Sequence, residues 1–335
     1  MERDTQNIVP WRMSCAPMMD WTDRHCRFFH RQFSRHTLLY TEMITAAALV
    51  RGGAEYLLDH DPAEHPLALQ LGGGDPDEMG RAVSVAAPRG FAEINLNVGC
   101  PSDRVKSGCF GAVLMREPER VARILDAMHS AARGVEITVK CRIGVDDQDP
   151  ETVLPAFLQR VADTGVTRVV VHARKAWLQG LSPKENREIP PLDVALVQSM
   201  ITAFPQLSIV LNGGIGSRDE AERHLADGFA GVMIGRAAYY APGDILGAAD
   251  RRIFGDRTAA DTDAETAVRA MFPYISRAVA AGTPLHHVTR HMLGAFAGRP
   301  GARAWRRVLS DGATRQGAGL ELVEQALAEI LPKAA

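Results

Sequence analysis

The chain has 335 residues, enough to bury one barrel of ~250 residues and still leave a small second unit. Lysine and arginine total 38 against 40 aspartate and glutamate, a net charge of −2, so there is no global basic field and any nucleic-acid partner must be met by a local patch. The five cysteines, Cys15, Cys26, Cys100, Cys109 and Cys141, form no CxxC pair and show no Cys/His zinc spacing, which argues against a disulfide framework or a metal centre and fits thiols in a reducing cytosol.

In chain order, the N-terminal residues Met1 to Asn7 are polar, and no later run approaches the ~20 apolar residues of a membrane span, so a soluble cytoplasmic protein without a membrane partner is expected. Eight short β-rich runs follow, at 13–18, 38–42, 67–71, 93–98, 136–141, 168–173, 207–211 and 231–234, and most intervals between them can hold a helix. This alternation predicts an α/β fold, a (β/α)8 TIM barrel. Helix signals stand at 75–87 (Asp75 before Pro76), 117–132 (Glu117 before Pro118) and 217–227 (Ser217 with Glu220 three residues on). A doubly wound open sheet is the second reading, but no GxGxxG follows the first strand. Past Pro242 no β-rich run appears, and 264–280, 285–296, 302–309 and 320–330 have helical spacing. The chain therefore divides into a barrel over 1–248 and a small all-helical C-terminal domain over 249–335.

Nearly every predicted strand ends in a polar residue that a barrel core does not need: Asp20, Glu42, Gln70, Asn95 with Asn97, Lys140 with Arg142, His172 with Arg174, Asn212 and Arg236. Singly, each reads as a satisfied rim residue; together they describe one polar mouth. The fourth strand empties through Gly99-Cys100-Pro101-Ser102, which sets a thiol at that mouth, either packed as a small hydrophobe or reactive. Asn212-Gly213-Gly214 and Gly235-Arg236 follow the seventh and eighth strands, where barrels bind phosphate, although glycines in tight turns are the plain alternative. A flavin mononucleotide has the matching size and single phosphate. Lys140 and His172 would then supply positive charge to the ring, Gln70 would read its polar edge, and Pro17, Met18 and Met19 would close its other side.

With these residues assembled, the sequence resembles the tRNA-dihydrouridine synthases, in particular their A-type bacterial subfamily. The resemblance rests on Ala16-Pro17-Met18-Met19-Asp20-Trp21-Thr22-Asp23-Arg24-His25, Tyr40-Thr41-Glu42-Met43, Gln70-Leu71-Gly72-Gly73, the run from Glu93 to Pro101, His172-Ala173-Arg174 and Asn212-Gly213-Gly214-Ile215. The stretches Gly180 to Arg187, Arg290 to Gly294 and Pro300 to Arg303 point to the A-type group. The resemblance implies an FMN enzyme that uses NADPH to reduce the C5=C6 bond of uridines 20 and 20a in the tRNA D-loop. In that scheme the reduced flavin delivers hydride to C6 and Cys100 gives a proton to C5. It assigns Pro17, Met18, Met19, Gln70, Lys140, His172, Asn212, Gly213, Gly214, Gly235 and Arg236 to the flavin. Asn97, Lys184, Arg187 and Arg303, the last favoured over Arg299, are assigned to tRNA.

Local charge supports an RNA partner. From Pro284 to Leu309 there are five arginines, three histidines and no acid, a run that reads either as a phosphate-binding face or as a solvated one. Trp177 and Trp305 offer stacking surfaces, and Arg104 and Lys106 extend positive charge beside Cys100. The loop from Ser107 to Ala112 is placed to swing the thiol toward substrate. His287 and His291 have the i, i+4 spacing of metal ligands but no acidic or cysteine companion, so packing or phosphate contact is the expectation. The other cysteines read as ordinary thiols, and a monomer is expected. A flavin barrel acting on a free pyrimidine and a non-catalytic RNA-binding barrel remain the alternatives.

Overall fold

The structure, a computed structural model, describes residues 8–102 and 110–330. Eight parallel strands, β1 (Met13–Cys15), β2 (Leu38–Thr45), β3 (Leu67–Gly72), β4 (Glu93–Val98), β5 (Glu136–Arg142), β6 (Arg168–His172), β7 (Ser208–Asn212) and β8 (Gly231–Ile234), close in sequence order, with β8 paired back onto β1. This is the predicted (β/α)8 barrel, and the open-sheet alternative falls away. β4 and β8 have their predicted bounds. β1 stops early because Pro17 has no N–H to continue the ladder, the last bond running from the Ala16 N–H to the Ile234 carbonyl at 2.8 Å. β2 runs past its predicted end to Thr45, with a register shift between Tyr40 and Met43.

The predicted helix starts have physical causes that the structure displays. Asp75 caps Pro76–Ala86 by accepting the Glu78 N–H at 2.8 Å, and Ser217 caps Arg218–Ala226 by accepting the Glu220 N–H at 3.1 Å. The Glu220 carboxylate does not close a capping box; it reaches the Gly216 N–H at 2.8 Å. Pro118–Ala131 begins on a proline, and Glu117 makes no side-chain capping bond.

The barrel interior is packed solid. Ala16, Leu38, Tyr40, Ala68, Val170, Val210 and Met233 form one apolar cluster there, backed by Trp11. Toward the N-terminal ends of the strands, Arg168 pairs with the buried Glu93, which also accepts from the Tyr40 hydroxyl, and the Arg168 guanidinium lies 4.8 Å over the Trp11 ring. The outward faces of the strands pack against the helices in a larger apolar cluster that continues into the C-terminal helices.

Beyond β8 the described residues hold helices and no further strand. The predicted helix at 264–280 is two, Ala264–Ala270 and Phe272–Ala280, because Pro273 sits in the first turn of the second and has no N–H to carry the first onward. The predicted helix at 285–296 shortens to Leu285–Thr289 and gives way to turns. Ala302–Gly312 and Leu320–Ala328 are the last helices among the described residues. Tyr274 stacks on Phe28 at 4.0 Å and pairs its hydroxyl with His25 Nδ1 at 2.7 Å, fastening these helices to the one after β1, Arg24–Arg31. Trp305 is not a stacking surface: it is wholly buried, edge-on to Phe296, and donates its indole N–H to the Met292 carbonyl at 3.0 Å. Among the described residues no helix is long and apolar enough to cross a membrane.

Candidate active site

At the C-terminal ends of the strands a cavity of about 570 Å³ opens. Into it the barrel brings Pro17, Met18 and Met19 after β1, Gln70 from β3, Lys140 from β5 and His172 from β6, with Asn212, Gly213 and Gly214 from the end of β7 and Gly235 and Arg236 after β8. Asn97, Cys100 and Arg187 line the same space. Lys184 and Arg303 do not; both are exposed on the surface. Arg104, Lys106 and the first half of the Ser107 to Ala112 loop, Cys109 included, lie outside the described residues.

Strand register explains the convergence. Gln70 is level with Asn95, Asn97 with Lys140, Arg142 with His172, and His172 with Asn212, so polar residues from five strands stand at matched heights. The bulge in β2 brings the Thr41 hydroxyl to the Gln70 N–H at 3.1 Å. Below them runs a chain of buried hydrogen bonds. Thr138 donates to Glu93 at 3.0 Å, Asn95 donates to Thr138 at 2.8 Å, Gln70 Nε2 donates to Asn95 Oδ1 at 2.9 Å, and Asn97 Nδ2 donates to Gln70 Oε1 at 2.8 Å. Each amide is thereby held in one orientation.

The Cys100 turn hangs from the top of this chain. Asn97 Oδ1 accepts the backbone N–H groups of Gly99 and Cys100, both at 3.0 Å, which folds the strand exit so that the thiol reaches the cavity. The thiol donates to the Ser102 hydroxyl at 3.4 Å. Arg142 is a brace that the sequence showed only as a polar strand end. It donates to the carbonyls of Gly99 (3.2 Å), Lys175 (3.1 Å) and Asn186 (2.9 Å), tying the Cys100 turn to the loop after β6. Cys15 and Cys141 differ from Cys100: burial pushes both thiols up to about 12, so they stay protonated and inert.

Burial, then the nearby Arg142, pushes the Lys140 ammonium down to about 7. Burial and the same cations drive His172 well below its usual range, so the ring is neutral. This corrects one expectation: His172 supplies hydrogen-bonding capacity, and the positive charge comes from Lys140 and its arginine neighbours. Neither the Lys140 ammonium nor the His172 ring has a hydrogen-bond partner among the described residues. Beside the His172 ring, Gly213 has φ +113° and a Cβ there would lie 2.6 Å from His172 Cδ2; Gly214 has φ +75° and its Cβ would lie 2.4 Å from Leu192 Cδ1. A Cβ at Gly235 meets only Met18 Sδ at 3.5 Å and Ala16 Cβ at 3.6 Å, so the space above it is open. Bare glycine backbone after β7 and β8, with the His172 ring beside Gly213 and the Lys140 ammonium in the same cavity, suits a ligand that carries a phosphate and an electron-rich ring.

The loop after β6 owes its form to Asn186, which sequence reasoning missed. Its amide is fully buried, accepts the Trp177 N–H at 2.7 Å and donates to the carbonyls of Trp177 (2.9 Å), Leu181 (3.2 Å) and Ser182 (3.3 Å). Trp177, Lys184 and Arg187 are thus presented from one knot. The nearest signal was the surrounding turn-rich composition, which does not single out a buried amide. The C-terminal region is anchored beside the mouth by Asp23, whose carboxylate accepts from Arg290 and pairs with His291 Nε2 at 3.0 Å. Burial would raise that carboxyl, but the bonds from His291, the Cys26 N–H and Arg290 hold it well below the usual range. His291 is therefore a buried packing partner, while His287 is exposed.

A family described as dihydrouridine synthase (Dus) matches residues 14–331. The tRNA-dihydrouridine(20/20a) synthase of Salmonella typhi is 52% identical over 336 residues, covering 99% of this chain and all of that protein. The protein of the same name from Escherichia coli K12 is 53% identical over 330 residues, covering 97% of this chain and 94% of the other. Among solved structures, the old yellow enzyme homologue from Zymomonas mobilis superposes with a TM-score of 0.52 at 13% identity, over 78% of this chain and 95% of that one, which shows the shared barrel fold. The chain belongs to the dihydrouridine synthase family.

Proposed function

We propose that the protein is a flavin-dependent oxidoreductase of the cytoplasm that reduces the C5=C6 bond of uridines 20 and 20a in the tRNA D-loop, with FMN as cofactor and NADPH as reductant. The position of the uridines follows the names of the full-length relatives. The observation that carries the reading is the meeting, in one cavity, of a cysteine on a braced turn with a buried lysine, a neutral histidine and a bare glycine backbone.

The Asn212, Gly213 and Gly214 backbone, with Gly235 and Arg236, would hold the FMN phosphate; Gln70, Lys140 and His172 would take the ring's polar edges, and Pro17, Met18 and Met19 its flank. When bound, FMN supplies a hydride donor for C6 of the uracil, renewed by NADPH. The protein's part is to place the base and manage one proton. The Cys100 thiol, held on the Asn97 turn, delivers that proton to C5 as general acid. Asn97 has one amide hydrogen beyond its bond to Gln70 and can donate it to the uracil. Arg187 at the rim, with exposed Lys184 and Arg303, would contact the phosphates, and the helical region 249–335 would support the folded tRNA. Since the target uridine sits in a folded loop, it must be flipped into the cavity.

The test is anaerobic: protein reconstituted with FMN is reduced by NADPH, then mixed with tRNA lacking dihydrouridine, with free uracil or with orotate. Flavin reoxidation driven by tRNA alone is expected. Reoxidation by a free pyrimidine would move the substrate to the small-molecule class, and failure to bind FMN would favour a non-catalytic RNA-binding barrel.

A further inference from the structure

An aromatic cluster at the cavity mouth takes no part in the chemistry above. Trp21 lies in the turn after β1; its indole stacks on Tyr239 with centroids 4.5 Å apart and planes 23° from parallel, and it meets the Tyr240 ring edge-on at 5.3 Å. The inner ring is fixed, because the Tyr239 hydroxyl pairs with His291 Nδ1 at 3.1 Å and His291 is wholly buried. The outer ring is not covered: Tyr240 is 54% exposed. A large aromatic ring backed by two others, yet open to water, is a prepared surface.

Two observations say what covers it. The first is continuity. Tyr240 ends the short helix Arg236–Tyr240, whose first residues line the cavity, so the rings begin where the cavity ends. The second is charge. Arg187, also lining the cavity, is tied to the start of that helix, its carbonyl accepting from the Arg236 guanidinium at 3.4 Å, and its side chain makes no salt bridge among the described residues. An exposed π face and a guanidinium on the same cavity rim match a nucleobase with its phosphate.

We propose that Tyr240, supported by Trp21 and Tyr239, is a stacking platform for the unpaired RNA base next to the uridine flipped into the cavity. This deepens the proposed function and rests on it. Flipping strips that neighbouring base of its stack, and the tyrosine face replaces the lost contact. Stacking needs a π face and no charge, so it leaves a signature different from that of a phosphate contact.

The experiment uses the FMN-loaded protein and tRNA lacking dihydrouridine with 2-aminopurine next to the target uridine. Binding is followed by quenching of 2-aminopurine fluorescence across a salt series, for the unmodified protein and for Tyr240→Phe, Tyr240→Leu and Tyr240→Ala. Flavin content and melting temperature serve as folding controls. Tyr240→Phe should bind within about twofold of the unmodified protein, whereas Tyr240→Leu and Tyr240→Ala should weaken binding about 5- to 100-fold with loss of quenching. The slope of log Kd against log salt should be unchanged, since no phosphate contact is removed. If the Leu and Ala variants bind and quench as the unmodified protein does, while that protein reduces the tRNA, the platform is wrong and the activity stands. If the unmodified protein fails to reduce tRNA at all, the activity falls and the platform with it.

Discussion

One amide, that of Asn97, joins the residue expected to read the cofactor to the turn that carries the thiol: its Nδ2 donates to Gln70 Oε1 at 2.8 Å while its Oδ1 accepts the Cys100 N–H at 3.0 Å. The two halves of the site are therefore positioned by one side chain. Removing it leaves two backbone donors and the Gln70 carbonyl short of a partner, each worth about 1–3 kcal/mol when buried. Asn97→Ala should lower the single-turnover rate of dihydrouridine formation about 10- to 100-fold, and Asn97→Asp, which keeps the acceptor and loses the donor, should fall between. Stopped-flow reoxidation of the prereduced enzyme by tRNA reads this directly.

Cys100→Ala removes the proton donor without touching the groups proposed to hold the cofactor. General acid catalysis contributes about 100- to 10,000-fold, so tRNA-dependent reoxidation should fall by that range. Reduction by NADPH should be unchanged. Measuring the two half-reactions separately checks it, and a parallel loss in both would show that the turn, and not the proton, was disturbed.

Lys140 makes the stability of the cofactor-free protein depend on pH. Burial, followed by Arg142, lowers its pKa from 10.5 to about 7. Between those values the unfolded chain holds a proton that the folded chain has released, so stability rises with pH by up to about 1.4 kcal/mol per pH unit. The full penalty is present below about pH 7 and is gone above 10.5. Lys140→Met should remove it: the advantage of the variant in urea unfolding should grow as pH falls from 9 to 7 and then level off.

At the opposite end of the barrel, Arg168 compensates the buried carboxylate of Glu93, whose pKa burial has already raised. Arg168→Met should cost about 3–5 kcal/mol at pH 7, because one charge is left buried alone. The cost should shrink toward pH 5 as Glu93 takes up a proton. Thermal unfolding at the two pH values measures the difference, and Arg168→Met combined with Glu93→Gln should recover much of the loss.

The barrel was legible in the sequence because fully buried parallel strands read as short apolar runs, and their polar ends, from Gln70 to Arg236, stood out against that background. The helix caps at Asp75 and Ser217 were legible because they depend on neighbours three residues away. What sequence reading missed depends on contacts remote in the chain. Trp305 is buried by Phe296 and the Met292 carbonyl, His172 is neutral because the fold buries it and then crowds it with Arg142 and Lys140 from another strand, and His291 meets Asp23 across most of the chain. Asn186 lies among exposed neighbours, and only the folded loop shows that its amide is the one turned inward. The break at Met271 is different in kind: Pro273 announced it, and the helical spacing on either side masked it.

The most direct test of the central claim is nucleoside-resolved mass spectrometry of D-loop fragments from cells lacking this gene, rescued with the unmodified protein or with Cys100→Ala. The account predicts that dihydrouridine at positions 20 and 20a disappears on deletion, returns with the unmodified protein and returns poorly with the variant. Dihydrouridine still present at both positions in the deletion strain, or full rescue by Cys100→Ala, would contradict it.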